Sequence, residues 1–147
     1  MIRVPETLLK EIRAHGEQTF PNECCGIVFG QIADDGTKTA QSLRPIINEF
    51  DDGEKYHRFL ITEEQMLQAE LYARKNKVEI VGIYHSHPDC ASVPSEYDRS
   101  HAVPVYSYLI TSILKGKAAD VQNWTLQWDE AKADNVFISE ELQIIAV

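Results

Sequence analysis

Two of the five histidines in this chain, His85 and His87, stand one residue apart at the end of the apolar run "VGIYHSHP". Side chains two positions apart on a strand project from the same face, so both imidazoles can reach one ion while Tyr84 and Ser86 point the other way. Ser95 and Asp98 follow in "PSEYD". Two imidazole nitrogens and one carboxylate oxygen suit Zn²⁺, and three protein ligands leave a tetrahedral ion one open position, as catalytic zinc requires. Zinc lowers the pKa of its water toward about 7, which is the chemistry of hydrolysis.

A plainer reading competes for the second half of this set. Pro94, Ser95, Glu96 and Asp98 also spell a helix start, with Ser95 as N-cap and Ser-x-x-Asp close to a capping box. The joint spacing weighs against coincidence: His-x-His-x₇-Ser-x-x-Asp is expected only roughly 5 × 10⁻⁴ times by chance at this composition.

Other reactive side chains have blander roles. Three cysteines are an odd count without regular spacing, so they form no disulfide framework; Cys24 and Cys25 read as reduced core residues. Cys90, in the loop after the histidines, is left open as a soft ligand, a nucleophile or a thiol without a role. His15 falls on the polar side of a helix and His57 in a charged loop. His101, three residues after Asp98 on the same helix face, also reads as bland, with support of that ligand as the lesser alternative. Trp124 and Trp128 share one side of an alternating strand and read as core packing, as does Tyr84.

These residues must be positioned by a mixture of helices and strands. "VPETLLKEIRAHGEQTF" predicts a helix with Pro5 near its start. "CCGIVFGQI" predicts a buried strand, "DDGT" a turn, and "KTAQSLRPIINE" a returning strand interrupted near Pro45. The polar loop "FDDGEKYHRFL" precedes a capping box, Thr62 to Gln65, that opens the helix "EEQMLQAELYARKNK". "EIVGIYHSH" is a strand stopped by Pro88, which would leave the histidines at an accessible sheet edge. "VYSYLITSIL", "VQNWTLQWD" and "LQIIAV" supply further strands. Hairpin-like neighbours favour an α/β sandwich with a mixed sheet over a purely parallel one.

At 147 residues the chain predicts a single domain, 1–147. With 44% hydrophobic and 25% charged residues it has the composition of a soluble globular protein. No apolar run approaches the roughly 18 residues of a membrane span, and the N-terminal stretch carries charges throughout where a signal peptide has an uninterrupted apolar segment, so a cytoplasmic location is expected. A net charge of −9 without a Lys/Arg stripe argues against nucleic acid.

The spacing from His85 onward resembles the JAMM (MPN+) metalloprotease family, whose signature is Glu…His-[Ser/Thr]-His-Pro-x₆-Ser-x-x-Asp. "HSHPDCASVPSEYD" matches every fixed position, and the order of elements extends the resemblance over most of the chain. "FPNECCGIVFG" is similar to the segment that carries the family's glutamate, here Glu23. Among fourteen glutamates the residues alone could not have selected it.

The resemblance implies a cytidine-deaminase-like α/β sandwich, a mixed β-sheet flanked by helices, and a zinc-dependent hydrolase. It implies His85, His87 and Asp98 as Zn²⁺ ligands, Glu23 as general acid/base, and Ser95 as a donor to the substrate carbonyl or tetrahedral intermediate. A compact chain resembles the prokaryotic branch, which implies a ubiquitin-fold sulfur-carrier protein with a C-terminal Gly-Gly as substrate. Cleavage after the diglycine would release cysteine or a short tail. A deubiquitinase-like or desampylase-like isopeptidase and a non-catalytic MPN scaffold are the alternatives, and a homodimer is left open. The His-x-Glu…Pro-Cys-x-x-Cys pattern of the zinc nucleobase deaminases is absent.

Overall fold

The structure, a computed structural model, describes residues 1–146. In chain order its first elements are β1 (Ile2–Pro5), α1 (Glu6–Thr19), β2 (Cys25–Ile32), β3 (Lys38–Ile46) and α2 (Glu63–Lys75). They are followed by β4 (Glu79–Pro88), α3 (Glu96–His101), β5 (Ser107–Leu114), β6 (Lys117–Asp129), β7 (Asp134–Ser139) and β8 (Leu142–Ile145). The strands form one sheet in the order β7-β6-β5-β4-β2-β3-β1-β8. β4–β5, β1–β3 and β1–β8 are parallel and the remaining neighbours antiparallel, so the sheet is mixed as expected.

The sheet is covered on both faces. Alternation along β2 sends Cys24 and Val28 toward α1, where Leu8, Leu9, Ile12 and Tyr84 join them. The intervening Cys25, Ile27 and Phe29 face the other way and pack with Ala69 and Ala73 of α2. Burial on two faces explains why this strand reads as a continuous apolar run. The predicted capping box of α2 is present, with Gln65 N–H donating to Thr62 Oγ1 and Thr62 N–H to Gln65 Oε1.

Several boundaries depart from the sequence reading. β3 runs through Pro45 to Ile46, because β1 pairs with β3 only at Lys38 and Thr39 and the outer edge beyond demands no N–H. β4 likewise includes Pro88, paired with Ile113 of β5. The histidines are therefore not at a sheet edge. They lie at the C-terminal end of a central strand between β2 and β5, because α3 carries the chain over to a parallel β5. Two short strands, β1 and β7, were not predicted. The strand expected from "LQIIAV" is β8, on β1 at one sheet edge; Val147 lies outside the described residues. Among the described residues no helix is long and apolar enough to cross a membrane.

Candidate metal centre

β4 presents His85 and His87 side by side, and the first turn of α3 brings Asp98 over them. His85 Nε2 and His87 Nε2 are 3.2 Å apart, and Asp98 Oδ2 lies 3.3 Å from the first and 3.0 Å from the second. All three side chains are buried. A tetrahedral zinc site with bonds of about 2.0–2.1 Å has ligand atoms about 3.3 Å apart, so this triangle fits the ion. No other group of three or more such donors occurs among the described residues.

The far side of each ligand is arranged accordingly. His87 Nδ1–H donates to the Ala91 carbonyl at 2.9 Å, which leaves its Nε2 lone pair for an ion. His85 Nδ1 is buried without a partner, and Phe59 stacks on the ring at 4.6 Å. Burial lowers the His85 pKa against the opposing pull of Asp98, which favours the neutral ring that a metal ligand presents. Burial would raise Asp98, yet His85, His87 and the Ser95 N–H hold it well below the usual carboxylate range.

The helix-cap reading and the metal reading prove compatible. Asp98 N–H donates to Ser95 Oγ at 3.1 Å, and Ser95 N–H donates to Asp98 Oδ2 at 2.9 Å. The cap thus aims the same oxygen that faces the imidazoles. Ser95 is exposed and its hydroxyl can accept this bond while donating into the cleft.

Glu23 reaches the site from a distant part of the chain. β2 pairs antiparallel with β4, Cys25 opposite His85, and Cys24 N–H donates to Ser86 Oγ at 2.8 Å. Continuing that register puts Glu23 level with His87. The residue is 3% exposed, and its Oε1 is buried without a partner. Burial, and then the charge of Asp98, pushes its pKa up to about 9.

Glu23, His87, Ser95, Tyr56 and Cys90 line a cleft of about 760 Å³. An apolar pocket of about 220 Å³ lies beside His85 and Asp98, walled by Phe59, Met66, Tyr97 and Tyr106. A third cavity, about 340 Å³, touches Glu23 together with His15, Asn22, Asn48 and Lys55.

Other sequence expectations are sorted by these contacts. Cys24 and Cys25 are buried free thiols; Cys90 is exposed, on the cleft wall and outside the ligand group. Tyr84 is core. His101 does not support Asp98: its Nδ1 bonds Tyr97 O and Ser100 Oγ, and its ring stacks on Tyr97. His15 is not on a polar face, since its Nδ1 meets the Tyr84 hydroxyl at 2.8 Å. Trp128 is 54% exposed rather than core, whereas Trp124 is partly buried with Nε1–H on the Ser92 carbonyl. Phe59 and Ser86 are contributors the spacing did not single out.

Residues 5–127 match the family described as prokaryotic homologues of the JAB domain. The chain belongs to that family. This JAB-domain protein is 32% identical over 108 residues to a desampylase of Haloferax volcanii, covering 73% of this chain and 74% of the relative. The solution structure of a Desulfitobacterium hafniense protein superposes with a TM-score of 0.82 at 26% identity, covering 100% of this chain and 94% of that one. A JAB1/MPN domain protein from Archaeoglobus fulgidus shares the fold at 17% identity and a TM-score of 0.54, covering 99% and 97% of the two chains. The α/β fold expected from the resemblance is thereby borne out for this JAB chain.

Proposed function

We propose that this JAB-domain protein is a zinc-dependent hydrolase that cleaves the amide after the C-terminal diglycine of a ubiquitin-like protein. The observation that carries this reading is the buried Glu23, its Oε1 without a partner, in the same cleft as His87 and Ser95. Such a group is costly to bury unless chemistry uses it.

His85 Nε2, His87 Nε2 and Asp98 Oδ2 would hold the ion. When bound, zinc supplies Lewis acidity that polarises the amide carbonyl and makes water nucleophilic near neutral pH. A bound cation's charge would oppose the burial that raises the Glu23 pKa. The ionised carboxylate would take the proton from the attacking water and pass it to the leaving nitrogen as the C–N bond breaks. The Ser95 hydroxyl donates to the carbonyl oxygen as negative charge develops there. Phe59, stacked on His85, excludes solvent from the ligand and keeps the ring in place.

Two leaving amines fit this chemistry. A lysine ε-amine, giving isopeptidase action, is supported by the desampylase relative and by the cleft lining. Pro21, Tyr56, Pro88 and Val93 offer apolar contact for lysine methylenes, Glu23 and Asp89 offer carboxyls, and no Lys or Arg is among the lining residues. The cysteine amine of a sulfur-carrier adduct is supported by the second cavity that Glu23 lines, where Lys55 and Asn22 can donate to a free α-carboxylate.

Incubation of the zinc-loaded protein with a diglycine carrier joined either to a lysine ε-amine or to cysteine, with products resolved by mass, tests both. Release at the diglycine is expected. No cleavage of either conjugate by a zinc-loaded protein would favour the non-catalytic scaffold.

A further inference from the structure

We infer that Asn48 is a positioning residue for Glu23, an inference that rests on the hydrolase reading above. Its side-chain amide has two donors and two acceptor positions, and every one is used on backbone. Nδ2 donates to the Glu23 carbonyl at 3.2 Å and to the Arg58 carbonyl at 3.0 Å. Oδ1 accepts from Phe50 N–H at 3.0 Å and from Leu60 N–H at 3.1 Å. One amide therefore pins both ends of the loop 49–60 and ties them to the peptide that bears Glu23.

This loop builds much of the site. Tyr56 and His57 line the cleft, Phe59 stacks on His85, and Phe50 and Arg58 pack on Tyr97, next to Asp98. Apart from a 3₁₀ turn at Asp52–Glu54 the loop has no regular structure to hold its shape. The Glu23 N–H also donates into it, to the Lys55 carbonyl at 2.7 Å. The Glu23 peptide is thus gripped on its N–H by the loop and on its carbonyl by the residue that anchors the loop. The carboxyl itself has no partner at Oε1 to orient it, so its placement falls to the backbone.

None of the three proposed metal ligands hydrogen-bonds to Asn48; two stand on β4 and one on α3. Loss of the Asn48 contacts should slow turnover without weakening the ion. Asn48→Asp is close in shape and keeps the acceptor for Phe50 and Leu60 but turns its second oxygen toward two carbonyls; Asn48→Ala removes all four bonds.

The test uses the zinc-loaded chain on diglycine–lysine and diglycine–cysteine conjugates, under single-turnover conditions so that slow variants are measurable. Asn48→Asp is expected to cut kcat at least about tenfold while zinc affinity stays within about twofold. In a Glu23→Gln background the same change should cost less than about twofold, because the residue it acts through is already disabled. Hydrogen exchange at the Glu23 amide should speed up in Asn48→Asp and Asn48→Ala alike. A near-normal kcat in Asn48→Asp, or an undiminished loss in the Glu23→Gln background, would overturn the assignment. If the wild-type chain cleaves neither conjugate, the hydrolase reading fails instead. Exchange at Glu23 then decides the positioning, and unchanged protection in both variants overturns it.

Discussion

Cys24 and Ser86 exchange hydrogen bonds in both directions. The Cys24 N–H donates to Ser86 Oγ at 2.8 Å, and the Ser86 N–H donates to the Cys24 carbonyl at 3.2 Å. The residue between the two histidines thereby fastens the residue after Glu23. Ser86→Ala strands a buried N–H, a loss of about 1–3 kcal/mol. Urea denaturation should register it, and turnover should fall while zinc stays bound.

His87→Ala removes one of three ligand atoms. Bound zinc, read by metal analysis after gel filtration, should fall from one per chain toward none, and hydrolysis should vanish with it. Chelation of the wild-type chain should abolish hydrolysis equally while leaving the far-ultraviolet circular dichroism largely intact. The two apolar clusters packed on α1 and α2 include none of the ligands. Turnover that persists in chelator would rule out metal chemistry.

Glu23→Gln should keep zinc and slow the chemical step by about 10²–10⁴-fold. In the metal-free chain the same change alters pH dependence. Burial raises the Glu23 pKa to about 9, so between its unfolded value of 4.5 and about 9 the folded state holds a proton that the unfolded state has lost. Stability contributed by this group is full below pH 4.5 and drains away as pH rises through about 9. The slope is at most about 1.4 kcal/mol per pH unit. Wild type minus Glu23→Gln, measured by denaturant midpoint in chelator, should decline steadily across that window.

Gly26→Ala tests the β2–β4 pairing. A Cβ at Gly26 would overlap the Tyr84 ring, which is fully buried and has its hydroxyl bonded to His15. Since that ring has nowhere to move, a loss of about 1–3 kcal/mol or more is expected, visible as a lowered melting temperature.

The ligand triad was legible in the sequence because its geometry is local: a two-residue strand repeat and a helix cap determine where His85, His87 and Asp98 point. Glu23 was not readable that way. It stands 62 residues before His85, and only the β2–β4 register, which no local pattern encodes, brings them together. The resemblance identified it instead. β1 was missed because four residues run straight into a helix, and β7 because six residues on an edge carry little periodicity. His15 was misplaced because a helical wheel shows which way a residue leans, not which hydroxyl it meets. Asn48 gave no signal at all, since its partners are backbone groups up to 25 residues away.

The three proposed ligands fall within fourteen consecutive residues of one strand, turn and helix, while the proposed proton carrier arrives from another strand. On the proposed reading, seizing the ion and using it are thus separable inheritances. A single altered codon at position 23 would turn the same scaffold into a metal store, with its grip intact and its reactivity gone.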